Sequence, residues 1–398
     1  MSTVMRIAYF SPLNPQKSGI SDYSEELLPY VAQHAEIDLF VDDVAPSNRE
    51  ITENFAVHNF RAFGGMWQRQ AYDVALYHMG NHTCHEFIYR TLLRHPGITV
   101  LHDYNLHLFV LETNASRRDY AGYVREMGYA YGAEGTAAAR AAIRVRWDNP
   151  TLRYPLNERA IDSSLGLIVH NEFSKRLIQS SHPTTPVARV PHGMAIADSE
   201  SASRTSLDIR ESTFVVGTFG LATPEKRLDV VLRAFARFHR SFPDSMQLIV
   251  GEIPPGNDVA SLVRELALDD CVRITGFVDK QSLHWHIQAS DVCVNLRYPT
   301  CGETSGILLR CMAAAKPVIV SHVGSFAELP DGSCLKVFVD EEEIDGVAAA
   351  LEHLAADGAE RERMGRAARE YVRLEHDFAQ TARGYVDFIN GVLDGTCL

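Results

Sequence analysis

Residues 214–251 read FVVGTFGLATPEKRLDVVLRAFARFHRSFPDSMQLIVG. The apolar run at 214–217 predicts a buried strand, and the Thr-Pro pair at 223–224 is typical of a helix start. Four apolar residues then recur at helical spacing and predict one buried helix face: Leu228, Val231, Leu232 and Phe235. A second apolar run at 247–250 completes a strand–helix–strand unit, which indicates a parallel α/β sheet.

The same alternation of strand-like and helical patterns extends along most of the chain. Further strands are predicted at 6–10, 37–41, 73–77, 99–101, 165–169, 272–277, 291–295 and 317–321. Between about 115 and 160 an Ala- and Arg-rich helical stretch replaces the strands, which predicts a helical insertion in the first series. We therefore expect an α/β protein with two doubly wound, parallel-sheet lobes.

A polar, Ser-rich segment at 196–212 marks the expected lobe boundary. We divide the chain into an N-terminal lobe at 1–195, a C-terminal lobe at 196–376 and a last helix at 377–398, with Asp377 as a plausible N-cap. Five residues form the apolar stripe of that helix: Phe378, Ala382, Tyr385, Ile389 and Val392. The spacing leaves open whether the helix completes the second lobe or packs back on the first.

Composition narrows the function classes. The 398 residues suffice for two domains, and 38 Lys and Arg against 51 Asp and Glu give a net charge of −13. This sign opposes binding to nucleic acid, so no nucleic acid partner is expected. The seven cysteines are odd in number and never spaced as Cys-x-x-Cys, and no apolar run reaches the length of a signal peptide core or a membrane span. We expect a cytoplasmic protein with reduced thiols.

Several catalytic motifs are absent from the sequence. It contains no Gly-x-Gly-x-x-Gly, no P-loop, no Gly-x-Ser-x-Gly elbow and no Asp-x-Asp pair. These absences disfavour dinucleotide enzymes, P-loop NTPases, serine hydrolases and metal-assisted diphosphate chemistry. We therefore expect neither a metal nor a resident cofactor.

Three loops that follow predicted strands have the composition of anion sites. The loop at 11–21 carries Gly19 ahead of a helix expected from Ser21 or Asp22, although an ordinary turn explains it equally well. Lys226 and Arg227 are predicted in the first turn of a helix, where a bound diphosphate would offset their unfavourable interaction with the helix dipole. A solvated basic turn is the alternative interpretation.

The third loop, at 297–306, leads from a buried strand into an apolar helix. Its small residues at the helix start expose backbone amides, and Arg297 and Glu303 flank the Gly-rich turn. Glu303 is suited to accept hydrogen bonds from sugar hydroxyls, and the alternative is that it only caps the helix.

Histidines cluster in the first lobe. His82 and His85 have a spacing that zinc ligands use, but polar loop histidines, His78 included, are the interpretation that the pattern favours. His102 and Asp103 directly follow a predicted strand and are better placed for contact with a substrate.

Together these segments resemble the retaining glycosyltransferases of family 4. The resemblance rests on segments of both predicted lobes: TPEKRLD at 223–229, GFV at 276–278, ASDV at 289–292, MAAAKPVI at 312–319, VGS at 323–325 with Glu328, SGI at 18–20, LHD at 101–103 and VPHG at 190–193. It implies the GT-B fold, in which two Rossmann-like lobes face each other across a cleft.

The resemblance also implies roles for individual residues. His102, Asp103 and Glu303 would be catalytic, with His102 over the donor sugar and Glu303 holding it. The donor, a nucleoside diphosphate sugar that acts as co-substrate, would be bound by residues of both lobes: Gly19, Lys226, Arg227, Arg297, Thr304, Ser305, Gly306 and Glu328. Transfer of a hexose-type sugar would retain configuration by a same-face mechanism that needs no metal and no enzyme nucleophile.

Two positions depart from the family pattern. Leu221 stands where the family has an arginine five residues before the lysine, so Arg227 is the candidate for the second charge. The family's second glutamate, which often contacts the ribose, falls at Arg310 or Cys311, which leaves the donor nucleotide open. An epimerase or hydrolase of nucleotide sugars, a binding-only protein and a metal-dependent hydrolase built on the histidines at 78–85 are the alternative functions.

The acceptor is expected to contact the first lobe, and a glycan or lipid-linked glycan is the class that the resemblance implies. Arg140, Arg144 and Arg146 with Trp147 lie in the helical insertion. One hypothesis is that they form an acceptor or membrane-surface patch, which would bring the protein to the inner face of the membrane. A solvated helix face is the interpretation that the pattern favours.

Overall fold

The computed structural model describes residues 4–144, 153–196 and 204–396. The chain forms two compact units, the first comprising Met1–Gly193, Cys301–Thr304 and Phe378–Leu398, and the second Met194–Thr300 and Ser305–Asp377. The predicted boundary at 195/196 lies two residues beyond the observed one. The loop Cys301–Thr304, assigned from the sequence to the C-terminal lobe, belongs instead to the first unit because its contacts are made there.

The first unit is built on a seven-stranded sheet. Its strands are β1 (Arg6–Phe10), β2 (Glu36–Val41), β3 (Ala56–Asn59), β4 (Val74–Met79), β5 (Gly97–Leu101), β6 (Ser164–Val169) and β7 (Val187–Arg189). The helices described in this part of the chain are α1 (Gly19–Val31), α2 (Arg49–Asn54), α3 (Phe63–Gln68), α4 (Glu86–Leu92), α5 (His107–Ser116), α6 (Tyr120–Arg144), α7 (Glu158–Asp162) and α8 (Glu172–Ser181). The strand order is β3-β2-β1-β4-β5-β6-β7, and the strands pair in parallel.

The second unit is built on a six-stranded parallel sheet. Its strands are β8 (Phe214–Phe219), β9 (Ser245–Val250), β10 (Val272–Ile274), β11 (Val292–Asn295), β12 (Val318–Ser321) and β13 (Leu335–Val337). Its helices are α9 (Leu228–Ser241), α10 (Val259–Glu265), α11 (Lys280–Ala289), α12 (Gly306–Ala313), α13 (Glu343–Ala356) and α14 (Gly358–Glu375). The order is β10-β9-β8-β11-β12-β13, so the two doubly wound parallel sheets predicted from the sequence are confirmed.

Both faces of each sheet are buried, which explains the continuous apolar runs of the strands. In β1, Ile7 and Tyr9 pack into one core, while Ala8 and Phe10 pack into the core on the other face. The four residues predicted on the inner face of α9 are all buried, as the helical spacing required.

The last helix, α15 (Phe378–Leu393), packs against α1 and β6 in the first unit. Tyr385 is fully buried, and its hydroxyl lies 2.9 Å from that of Tyr23 in α1. The sequence left open whether this helix completes the second lobe or packs on the first. In the structure it packs on the first unit.

The helical insertion is confirmed within the described residues, where α5, α6 and α7 stand between β5 and β6. A left-handed residue, Gly132 with φ 59°, breaks α6 near its middle. Arg140 and Arg144 are exposed on its last turns, whereas Arg146 and Trp147 lie outside the described residues. No helix in the described ranges is long and apolar enough to span a membrane.

Candidate functional site

Each sheet has one point where the strand order reverses direction. In the first unit this switch lies between β1 and β4, and in the second between β8 and β11. Parallel α/β sheets bind ligands at such points, outside the carboxyl ends of the strands. The loops that leave these strands carry most of the predicted site residues.

In the second unit, the segment after β8 differs from the prediction. Pro224–Lys226 forms a single 3₁₀ turn, Arg227 takes a left-handed conformation with φ 52°, and α9 begins only at Leu228. Lys226 and Arg227 therefore precede the helix, and the prediction that they occupy its first turn is wrong. The unfavourable interaction with the helix dipole that this prediction implied is therefore not expected.

Lys226 lies at the carboxyl end of β8. Its Nζ donates a hydrogen bond of 3.0 Å to the carbonyl of Phe219, the last residue of the strand. Gly220 has φ 85°, and a Cβ placed there would lie 2.6 Å from Lys226 Nζ and 3.3 Å from Ile307 in the first turn of α12. The ammonium group is thus held beside the start of α12, at the switch point.

The start of α12 is capped by Ser305, whose Oγ accepts from the amide of Leu308 at 3.3 Å. The interpretation of Glu303 as the helix cap is therefore wrong. The first amides of a helix have no intrahelical acceptor, so those of Gly306 and Ile307 add to the positive potential of Lys226. This arrangement is suited to bind a diphosphate.

Arg227 is engaged within the protein. Its Nε donates to both carboxylate oxygens of Glu343, at 2.8 and 3.1 Å, and its Nη2 also contacts that carboxylate. Glu343 is only 2% exposed. The structure therefore gives Arg227 a buried carboxylate as a partner, and its role toward a diphosphate stays a prediction.

The remaining donor-binding candidates of the second unit lie near the same edge. The amide of Arg297 donates to Ser321 Oγ at 2.9 Å, and its guanidinium lies 6.0 Å from the ring of Phe326. Glu328 ends the 3₁₀ turn Gly324–Glu328 and is exposed. Their roles toward a donor stay predictions.

The two positions that replace the family's second glutamate differ in environment. Cys311 is 1% exposed and cannot reach a ligand. Arg310 lines a pocket of about 600 Å³ between α11 and α12, together with Lys280, His284 and Trp285. Only Arg310 can therefore take part in binding.

In the first unit, Gly19 is the first residue of α1, which begins two or three positions earlier than the predicted start at Ser21 or Asp22. The helix cap is Ser18, whose Oγ accepts from the amide of Ile20 at 3.2 Å. Gly19 is exposed, its φ is not left-handed, and a Cβ there would meet no atom within 4 Å. Neither the backbone nor the packing of the described residues requires glycine at this position.

We expect Gly19→Ala to leave the stability unchanged to within about 1 kcal/mol, because alanine is a better helix former and has open space here. If a donor approaches this backbone, the added methyl group should raise its KM by about 10-fold. Gly65→Ala is the matched control, since Gly65 is also helical, exposed and open around its Cβ. An unchanged KM would show that Gly19 has no role in binding.

His102 and Asp103 follow β5 directly, as predicted. The Asp103 carboxylate accepts from the amide of Asn81 at 2.8 Å, and Nε2 of His102 lies 3.0 Å from Nδ1 of His78. His78 itself lies in β4 and is fully buried, so its interpretation as a loop histidine is wrong.

These two residues belong to a histidine cluster that the sequence analysis missed. His78, His102, His170 and His192 lie at or just beyond the carboxyl ends of β4 to β7, with successive ring centroids 5.2, 4.9 and 5.2 Å apart. The ring of Tyr23 packs against His102 and His192. All four histidines lie at or shortly after the end of a strand, and this shared position could have predicted the cluster from the sequence.

Burial keeps the imidazoles of His78 and His102 neutral. It lowers the pKa of His102 well below the ordinary histidine value, and the neighbouring His170 and His78 lower it further. Burial likewise lowers the pKa of His78, and brings that of His85 to about 4. At neutral pH, His102 is therefore a neutral hydrogen-bonding group.

The zinc alternative gains no support from the local geometry. His82 uses its Nδ1 to accept from the amide of Cys84 at 3.3 Å, as a cap of the following turn. Nδ1 of His85 donates to the carbonyl of His78 at 2.9 Å. The described part of the chain holds no group of three or more metal-ligating side chains arranged around one point.

The loop Cys301–Thr304, which carries Glu303, is held within the first unit by the start of α8. Nδ2 of Asn171 donates to the carbonyl of Gly302 at 2.9 Å and to Thr304 Oγ1 at 3.1 Å, and Ser174 Oγ donates to the same carbonyl at 2.8 Å. Gly302 has φ 76°, and a Cβ there would lie 2.6 Å from Tyr104. Glu303 in turn accepts from the amide of Cys301 at 2.7 Å.

Asn171→Asp separates this loop contact from the capping of α8. Oδ1 of Asn171 caps the helix by accepting from Ser174, and a carboxylate preserves that bond. Because the variant loses both donations to the loop and sets a buried carboxylate beside the carbonyl of Gly302, we expect kcat/KM to fall by at least about 10-fold and Tm to fall as well. A variant with wild-type kinetics would contradict a positioning role for Asn171.

Residues 199–371 match the family model of glycosyl transferases group 1. This segment, which is less than half of the chain, is similar to that family. The chain is 31% identical over 185 residues to the D-inositol 3-phosphate glycosyltransferase of Kribbella flavida. The aligned region covers 44% of this chain and 43% of that relative. The chain thus matches about half the length of such curated relatives.

The solved structures that this chain resembles share its fold. Sucrose-phosphate synthase from Thermosynechococcus elongatus has a TM-score of 0.71 at 17% identity, over 98% of this chain and 100% of that one. Anabaena HepE in complex with UDP has a TM-score of 0.67 at 15% identity, over 97% and 100%. Together with the two parallel sheets, these matches confirm the GT-B fold.

Proposed function

We propose that this protein transfers a hexose-type sugar from a nucleoside diphosphate sugar to an acceptor, without a metal and with retention of configuration. One observation carries the proposal: within the group 1 segment, the Lys226 ammonium lies beside the start of α12 at the strand-order switch. A fixed cation next to unpaired helix amides stabilises a leaving diphosphate, which is where negative charge develops in such a transfer.

The chemistry of the first unit agrees with this proposal. The neutral His102 and the carboxylate of Glu303 are suited to hydrogen bonds with sugar hydroxyls. Same-face transfer requires no enzyme nucleophile, so its rate comes from positioning the donor and neutralising the departing diphosphate. Within the second unit, the Lys226 loop would supply charge of that kind.

The UDP bound in Anabaena HepE supports a nucleoside diphosphate as the group that this fold accommodates. Arg310, which replaces the family's second glutamate, is the residue through which the nucleotide preference of this chain would differ. The donor base therefore has to be found by experiment.

For the acceptor we propose a glycan or lipid-linked glycan. The exposed Arg140 and Arg144 of α6 are the residues through which the protein would reach an anionic membrane surface. The doubly substituted protein, Arg140→Glu with Arg144→Glu, should lose binding to vesicles that contain anionic lipid. If the parent protein does not bind such vesicles, the membrane contact is absent and only a soluble acceptor remains.

The test of the proposed function is a release assay with UDP-, GDP-, ADP- and dTDP-sugars, each in the presence and absence of EDTA. We expect one donor to yield free nucleoside diphosphate faster when an acceptor is added, with equal rates in EDTA. Release that does not depend on acceptor would indicate a hydrolase, and binding without release would indicate a binding protein. A product with inverted anomeric configuration would contradict retention.

A further inference from the structure

The strongest unassigned feature is the contact between two buried histidines on neighbouring strands. Nδ1 of His78, in β4, lies 3.0 Å from Nε2 of His102, which follows β5. We propose that His78 is a positioning residue that fixes the proton of His102 on Nδ1, so that His102 presents a hydrogen-bond donor to the substrate. The catalytic consequence rests on the proposed function, whereas the proton placement does not.

The direction of the hydrogen bond follows from the other nitrogen of His78. Nε2 of His78 is sealed from solvent and has no hydrogen-bond partner among the described residues. If this nitrogen carried the proton, a buried N–H would be left unpaired, which folded proteins avoid more strictly than an unpaired acceptor. The proton of His78 therefore sits on Nδ1 and is donated to Nε2 of His102.

No neighbouring aromatic ring in the part of the chain that the structure describes is placed to accept a hydrogen bond from Nε2–H of His78 through its face. The closest ring, that of Tyr9, has its centroid 4.5 Å away and is inclined by only 32°. An Nε2–H bond would thus run mainly along the Tyr9 ring and not into its face. Tyr23 and Tyr385 lie further away, with centroids beyond 6 Å in both cases.

The same bond decides what His102 can do. Since Nε2 of His102 accepts from His78, a neutral His102 must carry its proton on Nδ1. This Nδ1 has no partner among the described residues, and it is not one of their sealed polar atoms, so it is open to a ligand. His102 can therefore donate to an oxygen of the donor sugar or its diphosphate, but its Nδ1 cannot act as a base.

Packing holds the His102 ring in the orientation that this role requires. The rings of Tyr23 and His102 pack nearly perpendicular with their centroids 5.2 Å apart, and the centroid of the His170 ring lies 4.9 Å from that of His102. The backbone amide of His102 donates to the carbonyl of Met79 in β4 at 2.9 Å, which fixes the distance to His78 in the same strand. His78 thus has a rigid partner.

Two measurements test the proposal. Long-range ¹H–¹⁵N spectra of protein labelled at histidine report the tautomer, with the His102 signals identified by their absence in His102→Gln. We expect Nδ1–H in the wild-type protein and a change toward Nε2–H in His78→Leu. His78→Asn, whose amide nitrogen occupies the place of Nδ1, should keep the wild-type tautomer.

In the transfer assay, His78→Leu should lower kcat by about 10- to 100-fold with the donor KM nearly unchanged, and His78→Asn should stay within about threefold of the wild type. An Nε2–H tautomer of His102 in the wild-type protein would overturn the proposal, and so would equal losses in both variants at unchanged Tm. If His78→Leu does not fold, the wild-type spectrum and His78→Asn still decide. If no sugar transfer is found at all, the proposed function fails while the spectra test His78 independently.

Discussion

Lys226→Met should lower kcat/KM for sugar transfer by about 10²- to 10³-fold, the usual cost of removing one preorganised group that stabilises developing charge. The Lys226 ammonium lies at the end of β8 beside the first turn of α12, and methionine keeps the length of the side chain while removing that charge. The kinetic loss is measured with the donor that the release assay selects.

Stability and specificity of this effect are checked separately. The Tm of Lys226→Met should fall only modestly, by the cost of the one hydrogen bond to the carbonyl of Phe219. Lys336→Met is the control, since Lys336 lies in the same unit and pairs with the fully exposed Asp331. Equal activity of the two variants would contradict a role of Lys226 in stabilising the leaving diphosphate.

Arg227→Met should destabilise the second unit by about 3–5 kcal/mol, because it leaves the carboxylate of Glu343 buried without its partner. Glu343 is 2% exposed at its side chain, and Arg227 is 26% exposed. The change in the free energy of unfolding is measured by urea unfolding of the full chain, monitored with a spectroscopic probe placed in the second unit.

The double variant Arg227→Met with Glu343→Leu distinguishes a structural from a donor-binding arginine. Replacing both partners by apolar residues is often neutral, so we expect most of the lost stability to return. If Arg227 serves only this ion pair, sugar transfer returns with it. A stable double variant with a strongly raised donor KM would instead restore Arg227 as the second charge on the diphosphate.

The sequence was most informative where local pattern and tertiary structure agree. Strands buried on both faces read as continuous apolar runs, so β1, β8 and β9 were predicted within two residues. The short strands β3, β7 and β13 were missed, because three or four partly exposed residues carry no clear periodicity.

The start of α9 shows how local signals can mislead. Thr-Pro is a typical helix start, yet Pro224 opens a 3₁₀ turn and the left-handed Arg227 restarts the chain at Leu228. The reason is tertiary: Arg227 reaches Glu343, which lies 116 residues later in the sequence. No local pattern contains that pairing.

In the candidate site, too, some residues could be predicted from local sequence and others depend on the tertiary structure. His102, Asp103 and Lys226 could be proposed from the sequence because they lie on segments that follow predicted strands, where parallel sheets bind ligands. The contact of Asn171 with Gly302 and the contact of His78 with His102 depend on strand order and loop placement. Such contacts between distant residues cannot be deduced from spacing along a single sequence.

Binding of a nucleoside diphosphate by Lys226 is tested most directly by calorimetric titration of the protein with UDP, GDP, ADP and dTDP in EDTA, repeated with Lys226→Met. We predict that one nucleoside diphosphate binds without metal and that its Kd rises at least 10-fold in Lys226→Met but not in Lys336→Met. Absence of binding by the wild-type protein at millimolar nucleotide, or equal Kd values in all three proteins, would contradict this prediction.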